Sequence, residues 1–140
     1  MRERASELGD EAVTVLVVDD QAPFRFAAKA VLRVAKGFEL VGEASTGEEA
    51  VEQAAALHPG LVLMDINMPG INGIEATRRI VAEHPSMVVF LCSTYSLDDL
   101  PAGAATSGAR AYVNKEELAP SVIRRLWDER HDDAGVLHTV

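Results

Sequence analysis

The sequence has 140 residues, enough for one domain with a buried core. A hydrophobic fraction of 48% and a charged fraction of 25% are typical of a globular chain and exclude a disordered one. The net charge of −9 argues against direct nucleic-acid binding, the single cysteine excludes an internal disulfide, and no apolar run approaches the ~20 residues of a membrane span. We therefore expect a cytoplasmic protein.

Short apolar runs recur along the chain and predict buried strands. The predicted domain covers residues 12–131, between a polar N-terminal tail at 1–11 and a C-terminal tail at 132–140. Five runs read as strands, at 13–18, 38–44, 61–65, 87–92 and 111–113. Because helical patterns alternate with them, we predict an α/β domain: a doubly wound, parallel five-stranded sheet of order 2-1-3-4-5 with helices on both faces.

Helical spacing of apolar residues predicts five helices between and after these strands. Thr46 with Glu49 forms a capping-box pattern, and Asn72 is a predicted N-cap for the third helix. The fourth helix, at 98–107, is weak because it contains proline, glycine and few large apolar residues. We expect that segment to be mobile.

Acidic, hydroxyl and basic side chains follow the central strands of the predicted sheet. Asp19 and Asp20 follow the first strand, Asp65 ends the third, and Ser93 and Lys115 follow the fourth and fifth. The carboxyl ends of parallel strands share one edge of the sheet, where strands one and three meet at the topological switch point. Adjacent carboxylates repel each other, so a cation is the expected reason for the pair, whereas a helix N-cap needs one aspartate alone.

The three carboxylates indicate a divalent-metal site. No histidine or cysteine belongs to the set, and an all-oxygen site suits Mg²⁺, with Mn²⁺ as an alternative. A carboxylate beside Mg²⁺, a hydroxyl and a lysine indicates phosphoryl transfer, with Asp65 as the nucleophile that becomes an aspartyl phosphate. Mg²⁺ and Lys115 would neutralise the phosphoryl oxygens, and Ser93 would donate a hydrogen bond to one of them.

The pattern resembles the receiver domain of two-component response regulators. The matching residues are Asp19-Asp20, the turn 65–70 with Gly73, Ser93, Tyr112 and Lys115, and the resemblance covers about residues 13–130. It implies a flavodoxin-like fold and phosphorylation of Asp65 by a histidine kinase or a phosphotransfer protein. It also implies Mg²⁺ held by Asp20, Asp65 and the backbone carbonyl of Asn67, with Asp19 in support.

The resemblance further implies a conformational switch. Ser93 would move toward the phosphate, Tyr112 would turn inward, and the face around the fourth helix, fifth strand and fifth helix would change and bind a downstream protein. Tyr112 can equally be a half-buried strand aromatic. Because the chain stops after the fifth helix, we expect a stand-alone receiver that contacts neither nucleic acid nor membrane. A homodimer through the same face is a further expectation.

Two residues beside Ser93 are secondary candidates. Thr94 could supply the same hydroxyl, although the spacing to Lys115 favours Ser93, which stands where the family often has threonine. Tyr95 would overhang the site, and its bulk would slow the attack of water on the phosphoaspartate.

Three other functions compete with the phosphorylated switch. A phosphohydrolase with an aspartyl nucleophile normally needs an acid two residues later, and Asn67 cannot supply that proton. A flavin- or nucleotide-binding module on the same fold is disfavoured because the loop at 19–23 is anionic and lacks glycine. A phosphorylation-independent interaction module remains an alternative, against which the three acids and Lys115 argue.

Overall fold

The computed structural model describes residues 12–131 and the backbone of residues 137–138. The predicted N-terminal tail at 1–11 and most of the C-terminal tail at 132–140 lie outside the described residues. Among those described, no helix has the length and apolar character to cross a bilayer.

Parallel strands alternate with helices in the predicted order. The elements are β1 (Val13–Val18), α1 (Ala22–Val34), β2 (Phe38–Ala44), α2 (Gly47–Leu57), β3 (Leu61–Asp65), α3 (Gly73–Glu83), β4 (Val88–Ser93), β5 (Ala111–Asn114), α4 (Pro120–Asp128) and β6 (Leu137–His138). The sheet order is β2-β1-β3-β4-β5-β6, which confirms the predicted 2-1-3-4-5 arrangement and extends it by one short strand beside β5.

Successive strand residues point to opposite faces of the sheet and build two separate cores. Leu16 and Val18 of β1 belong to the core under α2 and α3, whereas Val15 and Val17 belong to the core under α1 and α4. Because helices cover both faces, the central strands β3 and β4 are buried along their whole length, as the sequence predicted, whereas β2 at the edge is more polar. The polar ends of the strands therefore collect at the carboxyl edge.

The turn after β3 brings the strand end and the next helix into direct contact. The Gly73 amide donates to the carbonyl of Ile66 at 2.8 Å, and Asn72 caps α3 by accepting from the Glu75 amide at 2.9 Å. A Cβ on residue 73 would lie 1.8 Å from the carbonyl oxygen of Asp65. Glycine is thus required at this position, and the backbone of Asp65 is fixed by the helix that follows it.

The predicted fourth helix at 98–107 is wrong. A 3₁₀ turn at Leu97–Asp99 is followed by tight turns through residue 108. Gly103 and Gly108 have φ of +90° and +99°, a conformation that ends a right-handed helix. The Ser107 hydroxyl donates to the carbonyl of Ala104 at 2.8 Å, which closes the last turn locally. The predicted fifth helix therefore corresponds to α4.

Candidate functional site

Three carboxylates meet at the carboxyl edge, between β1 and β3. Asp19 and Asp65 are buried and Asp20 is exposed, and one ligand oxygen of each lies within 4.8 Å of the others. The two strands are neighbours in the sheet, with Val18 of β1 in register with Met64 of β3. The structure therefore brings together the acids that the sequence assigned to a metal site.

Lys115 joins this cluster from the end of β5. Its Nζ lies 2.5 Å from Oδ2 of Asp19 and 3.2 Å from Oδ1 of Asp65, and its side chain is only 16% exposed. Burial alone would lower the pKa of Lys115, but the two carboxylates outweigh it and raise the pKa above its ordinary value. The lysine is thus a fixed positive charge beside Asp65.

Asp65 is held in an environment that penalises its charge. Burial, followed by the nearby charge of Asp19, raises its pKa from 3.8 to about 6, and the attraction of Lys115 opposes this only in part. The carboxylate is therefore ionised at neutral pH but at a cost to the folded state. A divalent ion placed among the three acids would remove much of that cost.

We expect the free-energy cost of ionising Asp65 in the folded protein to appear in the pH dependence of stability. Because the folded-state pKa of Asp65 is raised, its contribution to stability is fully present below pH 3.8 and is lost as the pH rises through about 6. In metal-free buffer, Asp65→Asn should gain about 2–3 kcal/mol over the wild type between pH 4 and pH 7. Urea unfolding at several pH values measures this difference, and a constant difference would contradict the assignment.

Ser93 at the end of β4 and Tyr112 of the neighbouring β5 form a hydrogen-bonded pair. Their side-chain oxygens are 2.8 Å apart, and the Tyr112 hydroxyl also donates to the backbone carbonyl of Tyr95. Because the tyrosine proton goes to that carbonyl, the Ser93 hydroxyl is the donor in the pair. Tyr112 is buried, and its hydroxyl joins the end of β4 to the loop that follows it.

Tyr95 links the loop after β3 to the end of β4 through two hydrogen bonds. Its hydroxyl accepts a hydrogen bond at 2.9 Å from the side-chain amide of Asn67, in the loop after β3. Its backbone amide donates to Oγ of Ser93 at 3.2 Å. Thr94, the alternative hydroxyl, is exposed. Ser93 rather than Thr94 therefore belongs to the hydrogen-bonded network that joins β4, β5 and the loop after β3.

Arg25 was missed by the sequence analysis. From α1, its Nη1 donates to the carbonyl of Asp19 at 2.6 Å, and its Nε contacts Oε1 of Glu43 on β2 at 3.1 Å. The pKa of Glu43 is lowered, chiefly by a hydrogen bond from Lys29 and also by Arg25. An arginine six residues after the first acid was the available signal, but its contact to a backbone carbonyl requires the fold.

Comparison with known families decides the identity. The family model for the response regulator receiver domain matches residues 15–126. The chain belongs to the response-regulator receiver domain family. Response regulator GacA of Pseudomonas viridiflava is 39% identical over 103 residues, covering 74% of this chain and 48% of that protein. The transcriptional regulatory protein DegU of Brevibacillus brevis is 32% identical over 120 residues, covering 86% and 51%.

Solved receiver-domain structures have the same fold. The response regulator domain of Thermotoga maritima CheB superposes with a TM-score of 0.77 at 30% identity, covering 88% of this chain and 99% of that one. The signal receiver domain of NarL from Mycobacterium tuberculosis gives 0.76 at 27% identity, covering 87% and 98%. This receiver domain spans about half the length of the curated relatives it matches.

Proposed function

We propose that this receiver domain accepts a phosphoryl group on Asp65 from a histidine kinase or a phosphotransfer protein and thereby switches a protein-binding face. One observation supports this most: a buried carboxylate lies 3.2 Å from a lysine and within a cluster of three acids. The Asp65 oxygen would attack phosphorus, the bond to the donor's leaving group would break, and the electron pair would leave with that group.

The acid cluster fits Mg²⁺ by its chemistry. Three carboxylate oxygens within 4.8 Å of one another form a hard-oxygen set without histidine or cysteine, which also suits Mn²⁺. Asp20, Asp65 and the backbone carbonyl of Asn67 would hold the ion, with Asp19 in support. When bound, the ion supplies positive charge that stabilises the phosphoryl oxygens.

Lys115, Ser93 and Tyr112 would each have a separate role in phosphoryl transfer and in the switch. Lys115 would exchange part of its contact with Asp65 for a phosphoryl oxygen, which carries the charge that develops in transfer. Ser93 would redirect its proton from Tyr112 to another of those oxygens. Tyr112 would keep its hydrogen bond to the backbone carbonyl of Tyr95, which lies in the loop after β4. Loss of the hydrogen bond from Ser93 to Tyr112 would therefore affect this loop.

The output face differs from the one expected, because the fourth helix is absent. Loop 94–110, β5 and α4 would form it. Leu91, Leu100, Ala104 and Tyr112 line a mostly apolar cavity of about 400 Å³ under this loop. A hydroxyl rearrangement at Ser93 would reach the cavity through Tyr112. A downstream protein would bind here, and a homodimer through this face stays a prediction.

A small phosphodonor tests the proposal directly. Incubation with acetyl phosphate and Mg²⁺ should add one phosphoryl group per chain, visible by intact mass and lost on mild acid or hydroxylamine treatment. Peptide mapping should place it on Asp65. No added mass, or an acid-stable label on another residue, would contradict the proposal.

Tyr95 should control the lifetime of the phosphorylated state. We propose that the Tyr95 ring, held by Asn67, shields the phosphoaspartate, so in Tyr95→Ala water should reach it and dephosphorylation should accelerate by roughly threefold. Tyr95→Phe keeps the ring but loses the hydrogen bond to Asn67, which separates bulk from bonding. Loss of label after donor removal measures both, and an unchanged rate in Tyr95→Ala would remove this role.

Several expectations from the sequence remain part of the proposal. The contacts of Lys115 with Asp19 and Asp65 favour the phosphorylated switch over a phosphorylation-independent module. The switch is also favoured over a phosphohydrolase, because the side-chain amide of Asn67 donates a hydrogen bond to Tyr95. Cytoplasmic location and the absence of direct nucleic-acid or membrane binding stay predictions.

A further inference from the structure

Lys115 has a third neighbour that the phosphoryl-transfer chemistry above does not use. Its Nζ lies 4.6 Å from the centroid of the Phe24 ring, within the distance at which a cation is attracted to an aromatic face. Phe24 stands in the first turn of α1, and its side chain also packs against the core under α1 and α4. The lysine is therefore enclosed by two carboxylates and one ring.

The ring differs from the carboxylates in what it does during the reaction. Asp19 and Asp65 both contact Lys115, but both also belong to the acid cluster that would take a divalent ion. A neutral ring competes neither for that ion nor for a phosphoryl oxygen. Its attraction for the ammonium group is thus the contact that would remain when the carboxylates bind the ion or the phosphoryl group.

We propose that Phe24 is a positioning residue, which holds the Lys115 ammonium over its ring while the phosphoryl group is transferred to Asp65. The inference rests on the proposed function. The aromatic face attracts the charge without needing a lone pair in a fixed direction, so the N–H groups of the lysine remain available for Asp65 and the phosphoryl oxygens. The ring also covers the ammonium from water, which strengthens its interaction with the phosphoryl charge.

A purely structural role for Phe24 makes a different prediction. If the ring only fills space beside α1, Phe24→Leu should behave like the wild type once folded, because leucine keeps the apolar packing. If the ring holds the lysine, the aromatic variant Phe24→Tyr should preserve the rate and the aliphatic variant should not. Phe24→Met serves as a second aliphatic variant should the leucine variant fold poorly.

The experiment compares phosphorylation rates of these variants by intact mass, at saturating Mg²⁺ and over a range of acetyl phosphate concentrations. We expect the maximal rate of Phe24→Leu or Phe24→Met to fall roughly three- to tenfold, with the Mg²⁺ concentration for half-maximal rate unchanged and Phe24→Tyr within twofold of the wild type. A site-specifically introduced pentafluorophenylalanine at position 24, which keeps the shape but reverses the ring's electrostatics, should match the leucine variant.

Each outcome decides one of two claims. Aliphatic variants as fast as the wild type, or a tyrosine variant as slow as the aliphatic ones, would overturn the positioning role while the proposed function stands. A rate loss explained by a raised Mg²⁺ requirement would also overturn it, since that would place the effect on the acid cluster. A wild-type chain that takes no phosphoryl group would overturn the proposed function and this inference with it.

Discussion

Replacing Asp65 by asparagine is expected to abolish acid-labile phosphorylation of this chain by a small phosphodonor. Asparagine keeps the shape of the side chain but has no carboxylate oxygen to attack phosphorus. The other two acids do not substitute for it: Asp19 contacts Lys115 at 2.5 Å and the Gln21 amide at 2.8 Å, and Asp20 is exposed. Intact mass after incubation with acetyl phosphate and Mg²⁺ measures the loss.

A matched control separates loss of the acceptor from loss of charge. Asp98→Asn removes one carboxylate from an exposed position in the 3₁₀ turn after β4 and should be phosphorylated at the wild-type rate. The Asp65→Asn protein should also remain folded, because the substitution removes like-charge repulsion from Asp19. Retained acid-labile label in a folded Asp65→Asn protein would assign the acceptor to a different residue.

Lys115→Met is expected to lower both the rate of phosphorylation and the stability of the metal-free protein. The rate should fall roughly 10²-fold, the usual effect of removing one charge-stabilising donor from a transfer site. The free energy of unfolding should fall by about 2 kcal/mol, because Asp19 and Asp65 are then buried without their cation. Saturating Mg²⁺ should restore most of that stability, since the ion replaces the missing positive charge.

Lys36→Met is the control for the lysine substitution. Lys36 is exposed beyond α1, so the variant loses the same charge without touching the acid cluster. Its free energy of unfolding and its rate of phosphorylation should equal those of the wild type. Urea unfolding with and without Mg²⁺ measures stability, and labelling kinetics measure transfer. A Lys115→Met protein that labels at the wild-type rate would remove the lysine from the mechanism.

The sequence was sufficient for the sheet and for the acids because both depend on local pattern. A strand buried on both faces must be apolar throughout, so the apolar run before Asp65 indicates a central strand. Because the strands are parallel, its last residue lies at the same edge of the sheet as Asp19 and Asp20. Gly73 is one of the residues that carry the family resemblance, and its contact with the Asp65 carbonyl explains why glycine is needed there.

The remaining features depend on contacts that no local pattern encodes. The stretch at 98–107 has helix-forming alanines, but Gly103 with its positive φ and the turns closed by Ser107 override that preference. The contact between the Phe24 ring and Lys115 joins residues far apart in the chain, so no local pattern predicts it. The hydrogen bond from Tyr112 to the carbonyl of Tyr95 is likewise visible only in the folded chain.

A crystal of the protein soaked in Mn²⁺ and measured for anomalous scattering tests the central claim most directly. We predict one strong peak in contact with the carboxylates of Asp20 and Asp65 and the backbone carbonyl of Asn67, at about 2.1 Å, the distance common for small hard divalent ions. The same protein in solution should accept phosphate with Mn²⁺ or Mg²⁺ and fail to do so in a chelator. An acid cluster without a peak, together with undiminished labelling in the chelator, would contradict the account.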